Sequence, residues 1–181
     1  MTLLIIGLAL WIMVHWLKRL APNLRATLGD AGKGIVTLLL LVGLVLMIIG
    51  YRGAPFIPIW TPPSFLVHVN NLLMVAAVAV FAMSHTKGRL RGRMRHPMLT
   101  SVKLWSVAHL LVNGDLASII LFGGMLVWAV GSVIMINRAE TWERPAPGDK
   151  GRDVIFIVIT VVTFAVMVGI HMALGVNPFP G

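Results

Sequence analysis

The hydrophobic residues of the chain lie in long runs that are separated by short polar segments. A helix needs roughly 20 mainly apolar residues to cross a bilayer, and six runs reach or approach that length. No run is interrupted by an internal proline. We therefore predict an all-α, polytopic membrane bundle of six transmembrane helices. The predicted spans are residues 2–17, 34–51, 64–83, 97–112, 116–136 and 154–174.

The segments between the spans are short, which predicts one transmembrane domain over residues 1–181 without a soluble domain. The first span resembles a signal peptide in length. However, no positive residue precedes it and no small-residue cleavage site follows it. We interpret it as a retained helix that ends before Lys18 and Arg19.

The Lys and Arg residues are concentrated in alternate loops. The segments after spans one, three and five are basic, whereas the segment after span two holds only Arg52. Lys103, within span four, is the remaining cation. Cytoplasmic loops carry an excess of Lys and Arg, so this alternation predicts that both termini lie on the outer, periplasmic side. The basic loops contain Lys18, Arg19, Arg25 and Lys33; Lys87, Arg89, Arg91, Arg93 and Arg95; and Arg138, Arg144, Lys150 and Arg152.

Composition supports the same class of protein. Of the 181 residues, 58% are hydrophobic and only 12% are charged, which excludes an ordinary soluble enzyme and a disordered protein. The net charge of +9 is explained by the basic loops, so we expect a lipid bilayer as the partner and no nucleic acid. The chain has no cysteine, which excludes a disulfide scaffold, iron–sulfur clusters, thiolate-ligated haem and a thiol nucleophile.

Ionisable residues inside a membrane are costly and are therefore functional candidates. His15 lies near the inner end of span one, where it is either an interfacial residue or a ligand. His109 lies in span four, on a polar face with Trp105, Ser106 and Asn113. That face points into the bundle, where it either forms hydrogen bonds between helices or binds a cofactor. The remaining membrane-end histidines, predicted to be interfacial, are His68, His85 and His171.

Two helices that each offer one histidine at a shared depth are the simplest way to hold a haem in a bundle. His15 lies about 5 Å inward of Lys18, at 1.5 Å per residue. By the same measure His109 lies about 9 Å inward of Lys103. The two depths agree only if Lys103 marks the inner membrane boundary.

The Arg95-His96-Pro97 sequence predicts that span four begins at the proline, with the two cationic residues just outside. A helix N-terminus preceded by cations attracts anions. Arg93, Arg95, His96 and Lys103 are therefore candidates to hold a phosphate, a lipid headgroup or a carboxylate. At the other end of this span, Gly114 is predicted to cap the helix and Asp115 to cap the next one.

The block RHPMLTSVKLWSVAHLLVNGD, from Arg95 to Asp115, resembles the signature of the NnrU family of bacterial inner-membrane proteins. The early VHW sequence around His15 is consistent with this family. The resemblance implies location in the bacterial inner (plasma) membrane as a multi-pass protein. It also implies a link to denitrification and to nitrite and nitric oxide metabolism.

The NnrU family is similar to the membrane enzyme 15-cis-zeta-carotene isomerase, which binds haem b. By this resemblance its two haem histidines correspond to His15 and His109, which makes these the expected metal ligands. Arg95 and Lys103 are then expected to pair with the haem propionates, and His96 is expected either to line the haem pocket or to bond a propionate. Ser106 replaces the cysteine that precedes the second histidine in the isomerase. A thiolate therefore cannot replace His109 on the iron, which argues against carotene isomerisation.

Two other readings remain open. The Arg-His-Pro sequence also occurs in membrane methyltransferases, where it binds S-adenosylmethionine together with a downstream pair of glutamates. Here Glu140 and Glu143 are separated by two residues instead of being adjacent. The third hypothesis is a non-enzymatic assembly subunit, in which the histidines pack against neighbouring helices.

The leading hypothesis is a haem b protein that senses or handles nitric oxide, transfers an electron or isomerises a hydrophobic polyene. An oligomer is compatible with all three.

Overall fold

The computed structural model describes residues 1–90 and 92–179, so Arg91 of the second basic loop lies outside the described residues. Within this part of the chain there are seven α-helices. They are Thr2–Leu20 (α1), Pro22–Thr27 (α2), Gly32–Arg52 (α3), Leu66–His85 (α4), Pro97–Val112 (α5), Leu116–Ala139 (α6) and Arg152–Ala173 (α7).

Five of these helices, namely α1, α3, α4, α6 and α7, are long and apolar enough to cross a membrane. The prediction of an all-helical membrane protein is therefore confirmed. Helix α5 begins at Pro97 as predicted but has only 16 residues. At 1.5 Å per residue it is about 24 Å long, against roughly 30 Å of hydrocarbon. The count of six spans and the orientation of the termini stay predictions.

Five helices, α1, α3, α4, α6 and α7, extend past the predicted apolar runs, and α1 and α6 do so furthest, at their basic C-terminal ends. Helix α1 continues through Lys18 and Arg19, and α6 continues through Arg138. Cations in the last turn interact favourably with the negative end of the helix dipole, and both residue types form helix readily. The apolar run marks where the hydrophobic stretch ends, whereas the helix continues beyond it. The short helix α2 was not predicted.

The chain divides into two compact units. Unit 1 comprises Met1–Thr61 and Asn113–Trp128, and therefore contains α1, α2, α3 and the first half of α6. Unit 2 comprises Pro62–Val112 and the described residues from Ala129 onward, and contains α4, α5, α7 and the second half of α6. Because α6 contributes to both units, the single transmembrane domain stays a prediction.

In unit 1, helices α1 and α3 approach each other at glycines. A Cβ atom added to Gly7 would lie 2.7 Å from the Gly43 carbonyl oxygen. One added to Gly50 would lie 2.7 Å from the Cα atom of Leu4, which is fully buried. Small residues let the backbones of membrane helices come into direct contact, where packing drives association. The α1–α3 pair therefore depends on these glycines.

The turn before α6 is also fixed within unit 1. The Gly114 carbonyl oxygen accepts hydrogen bonds from the Ile59 and Trp60 amides at 2.8 and 3.1 Å. Gly114 does not adopt the positive φ of a left-handed cap, so its predicted capping role is wrong. Its carbonyl instead anchors the segment between α3 and α4. Asp115 caps α6 as predicted, because its Oδ1 accepts from the Ser118 amide at 3.0 Å.

We expect Asp115→Ala to lower the free energy of unfolding by about 1 kcal/mol, the usual cost of losing a helix cap. The Ser118 hydroxyl, which donates to the second oxygen of Asp115, loses its acceptor in the same variant. Denaturation in mixed detergent, followed by tryptophan fluorescence, measures the change. Asp30→Ala, which removes an exposed aspartate of the same unit, is the matched control. Equal losses in both variants would contradict the capping role.

In unit 2, helix α4 packs against both α5 and α7. The α4–α5 contact uses small side chains, and the buried Ser101 hydroxyl donates to the Ala77 carbonyl at 2.8 Å. Helix α7 has no buried residue within Arg152–Ala173. A helix that is apolar on all sides and exposed in the isolated chain is suited to contact with lipid. The core of unit 2 therefore lies between α4 and α5.

Candidate cofactor site

His15 lies in unit 1 against two indole rings. Its ring centroid is 4.4 Å from that of Trp11 and 4.7 Å from that of Trp128. Its Nδ1 atom is 2.8 Å from the Trp11 carbonyl oxygen. A carbonyl oxygen can only accept, so Nδ1 carries the proton and donates it. In the neutral ring Nε2 then carries the lone pair, which is the form that a metal-ligating histidine requires.

The two indoles beside His15 have an unusual feature in common. The Nε1 atoms of Trp11 and Trp128 are both buried, and within residues 1–90 and 92–179 neither has a hydrogen-bond partner. Trp128 as a whole is only 7% exposed. Buried polar groups are nearly always paired, and an unpaired one costs about 1–3 kcal/mol. Two such donors around one imidazole are typical of a site that takes up a further polar group or water.

His109 lies in unit 2 with the same ring orientation relative to its helix. Its Nδ1 donates to the Trp105 carbonyl at 3.0 Å, and its ring lies 5.3 Å from the Trp105 ring. His171 also donates from Nδ1, to the Met167 carbonyl at 2.7 Å. This hydrogen bond alone therefore does not single out a ligand, and the surroundings of each ring have to be compared.

Ser106 distinguishes the surroundings of His109. It precedes His109 by three residues and therefore lies on the same face of α5. The side chain is fully buried, and its hydroxyl has no hydrogen-bond partner in the described chain. Ser101, one turn and a half earlier, is buried but paired with Ala77. The polar face predicted from the sequence thus contains an unsatisfied hydroxyl beside the histidine.

The three cationic candidates lie nearer the start of α5. An Arg95 guanidinium nitrogen donates to the Glu140 carbonyl at 2.7 Å, and His96 Nε2 lies 2.9 Å from Asn137 Oδ1. Both contacts join the start of α5 to the end of α6 within unit 2. Lys103 lies one to two turns inside α5 and is half-buried. The structure thus gives Arg95 and His96 a joining role that the sequence did not predict, while their propionate contacts stay a prediction.

Unit 1 also contains a hydrogen-bonded cluster of three polar side chains, which the sequence analysis did not predict. The Tyr51 hydroxyl lies 2.9 Å from the Ser118 hydroxyl, which in turn donates to Asp115. Ser118 is fully buried, and Phe122 packs edge-on against the Tyr51 ring. The three-residue spacing of Asp115 and Ser118 is a capping signal, but Tyr51 is 67 positions from Ser118. No local pattern connects two residues so far apart.

The described residues form no side-chain cluster that could bind a metal ion without a cofactor. Among them, no group of three or more histidine, aspartate or glutamate side chains is placed to hold a metal ion. His15 belongs to unit 1, and the other five predicted site residues belong to unit 2.

These features define a polytopic helical membrane protein with histidines and unsatisfied polar groups inside its apolar helices. The family model described as "NnrU protein" matches residues 3–178, which is nearly the whole chain. The chain therefore belongs to the NnrU family, as its Arg95–Asp115 block predicts. No curated protein and no solved structure matches the chain.

Proposed function

We propose that this protein binds haem b in the bacterial inner membrane, with His15 and His109 as axial ligands. The observation that carries the proposal is that each of these two histidines lies beside buried polar atoms that have no partner among the described residues. Each also donates from Nδ1 to the carbonyl four residues earlier, which leaves Nε2 available to coordinate iron. The pairing of the two histidines rests on the resemblance of the Arg95–Asp115 block and the VHW sequence.

The neighbours of each histidine support the proposal. Each ring lies beside buried polar atoms that lack a partner among the described residues, namely the Trp11 and Trp128 indole nitrogens and the Ser106 hydroxyl. Haem held by these residues would supply an iron that exchanges an electron, or that binds nitric oxide where one histidine is a weak, displaceable ligand; both fit the denitrification link implied by the resemblance. The two indoles pack against the His15 ring, and the Nδ1 hydrogen bonds orient both imidazoles.

We further propose six spans with both termini outside. Two contacts in unit 2 support α5 as a short crossing. The Gly148 amide donates to the Gly88 carbonyl at 3.0 Å, and Arg144 donates to the Gly92 carbonyl at 2.9 Å. The loops on either side of the α5–α6 hairpin therefore lie on one membrane side. Since α6, with 24 residues, is long enough to cross, this arrangement supports a crossing of α5 in the other direction.

Absorption spectra of the purified full-length protein test the haem proposal. Cells are supplied with a haem precursor, and the protein is extracted in a mild detergent. We expect a Soret band that shifts on reduction with dithionite, and a pyridine extract with the spectrum of haem b at one haem per chain. A helical, monodisperse protein without a Soret band, even after addition of haem, would overturn the proposal.

One contact favours a second candidate, a membrane methyltransferase. Arg95 of the Arg-His-Pro sequence contacts the backbone of Glu140, so this sequence and the glutamate-containing segment lie together in unit 2. That candidate predicts saturable binding of S-adenosylmethionine, lost in Arg95→Ala and in Glu143→Ala. A third outcome is that the protein binds neither haem nor S-adenosylmethionine but retains a protein partner on gentle extraction. That outcome would indicate an assembly subunit.

A further inference from the structure

Two polar loops of unit 2 line a half-open pocket with a volume of about 590 Å³. One loop connects α4 to α5, and the other connects α6 to α7. The first contributes Arg89 and Arg93 to the pocket wall, and the second contributes Arg144 and the apolar run from Pro145 to Pro147. None of these residues belongs to the proposed haem site.

The pocket wall is held by contacts between the loops. Beyond the Gly148–Gly88 hydrogen bond, Arg144 Nε donates to the Gly92 carbonyl at 2.9 Å. Gly92 has a φ of 78°, which favours glycine, and a Cβ there would lie 2.5 Å from the Pro145 carbonyl oxygen. A residue with a side chain at this position would push the loops apart. The pocket is thus formed before any ligand arrives, which lowers the entropic cost of binding.

Positive charge in the pocket exceeds the negative charge available to balance it. Arg89 pairs with Asp153, which also accepts a hydrogen bond from the Arg89 amide at 2.9 Å. Across residues 1–90 and 92–179, no acidic side chain pairs with Arg93 or with Arg144. Like charges that converge on one pocket repel each other, and an anion between them removes that cost. The Arg93 guanidinium and the two terminal nitrogens of Arg144, whose Nε donates to Gly92, are therefore left for a ligand.

We propose that this pocket binds a phosphate group. Guanidinium groups present planar pairs of N–H donors that match phosphate oxygens, and arginine is the preferred residue for such recognition. The pocket is larger than a single ion, and its Pro145–Pro147 wall is apolar, so it suits a phosphate carried by a larger molecule. An anionic phospholipid headgroup and a soluble phosphate ester both provide this chemistry. Its position between the ends of transmembrane helices makes both sources accessible.

Titration calorimetry of the full-length protein in a neutral detergent tests the proposal. The probes are dihexanoyl phosphatidic acid and inorganic phosphate, with dihexanoyl phosphatidylcholine as the zwitterionic comparison. We expect phosphatidic acid to bind, and Arg93→Gln and Arg144→Gln each to weaken binding about tenfold, because each removes a charge-assisted contact. Arg138→Gln removes an exposed charge of the same unit outside the pocket, and should change binding less than about twofold.

The outcomes separate the possible ligand sources. Competition of inorganic phosphate with phosphatidic acid supports the pocket and indicates a soluble phosphate ester, whereas binding of the lipid alone supports it and indicates a headgroup. An equal loss in Arg138→Gln and in the pocket variants would overturn the proposal, because basic loops in general would then explain it. Equal binding of phosphatidylcholine, or no binding of either phosphate probe, would also overturn it. Haem content does not enter any of these readouts.

Discussion

Replacing His109 with alanine is expected to abolish the Soret band of the purified protein. The imidazole is the one coordinating group on the polar face of α5, and neither Ser106 nor Trp105 of that face can replace it on haem iron. Loss of an axial ligand inside a membrane bundle also leaves the cofactor without its positioning bond. We expect His15→Ala to have the same effect, because its imidazole is the corresponding ligand. Absorbance at the Soret maximum, normalised to protein, measures the loss.

The control for these variants is already present in unit 2. His171 donates from Nδ1 to a carbonyl four residues earlier, as His109 does, and it lies in a membrane-spanning helix. His171→Ala should therefore keep the band, since a helical imidazole in this orientation is not by itself a ligand. A band that persists in His109→Ala and disappears in His171→Ala would contradict the ligand assignment. Circular dichroism of each variant separates loss of haem from loss of fold.

The sequence predicted the helices best where local chemistry marks their ends. Helix α5 runs over the predicted residues 97–112, and Pro97 fixes its start. Ends within basic segments were less accurate, since α1 continues past the apolar run through Lys18 and Arg19. Hydropathy reports the burial of side chains in lipid, whereas helix formation also depends on backbone propensity and on the dipole.

The sequence predicted which candidate site residues share a face of one helix, but it did not predict the contacts between helices. The polar face of α5 follows from helical periodicity, which put Ser106 and His109 together. The approach of Trp128 to His15 depends on which helices pack together in unit 1. The same holds for the Arg144 side chain and the Gly92 carbonyl, which are 52 positions apart. Contacts between distant segments follow from tertiary packing, and no spacing rule within one sequence gives them.

Replacing Gly50 with alanine is expected to lower the free energy of unfolding by about 2 kcal/mol, within the range for overpacked cores. The added methyl group would overlap the Leu4 backbone, at its amide nitrogen and Cα atom. A backbone atom cannot rotate away as a side chain can, so α1 and α3 would have to separate along their contact. Unfolding in mixed detergent, followed by circular dichroism, measures the effect on the α1–α3 pair.

Alanine variants of two other glycines of unit 1 are expected to lose less stability than Gly50→Ala. A Cβ at Gly124 would meet the end of the Leu8 side chain, which can change rotamer, so Gly124→Ala should cost less than Gly50→Ala. A Cβ at Gly34 would meet no atom within 4 Å. Because alanine favours helix over glycine by roughly 0.5–1 kcal/mol, Gly34→Ala should leave stability unchanged or raise it. If all three variants lost the same stability, the cost would come from the glycine backbone itself and not from contact between α1 and α3.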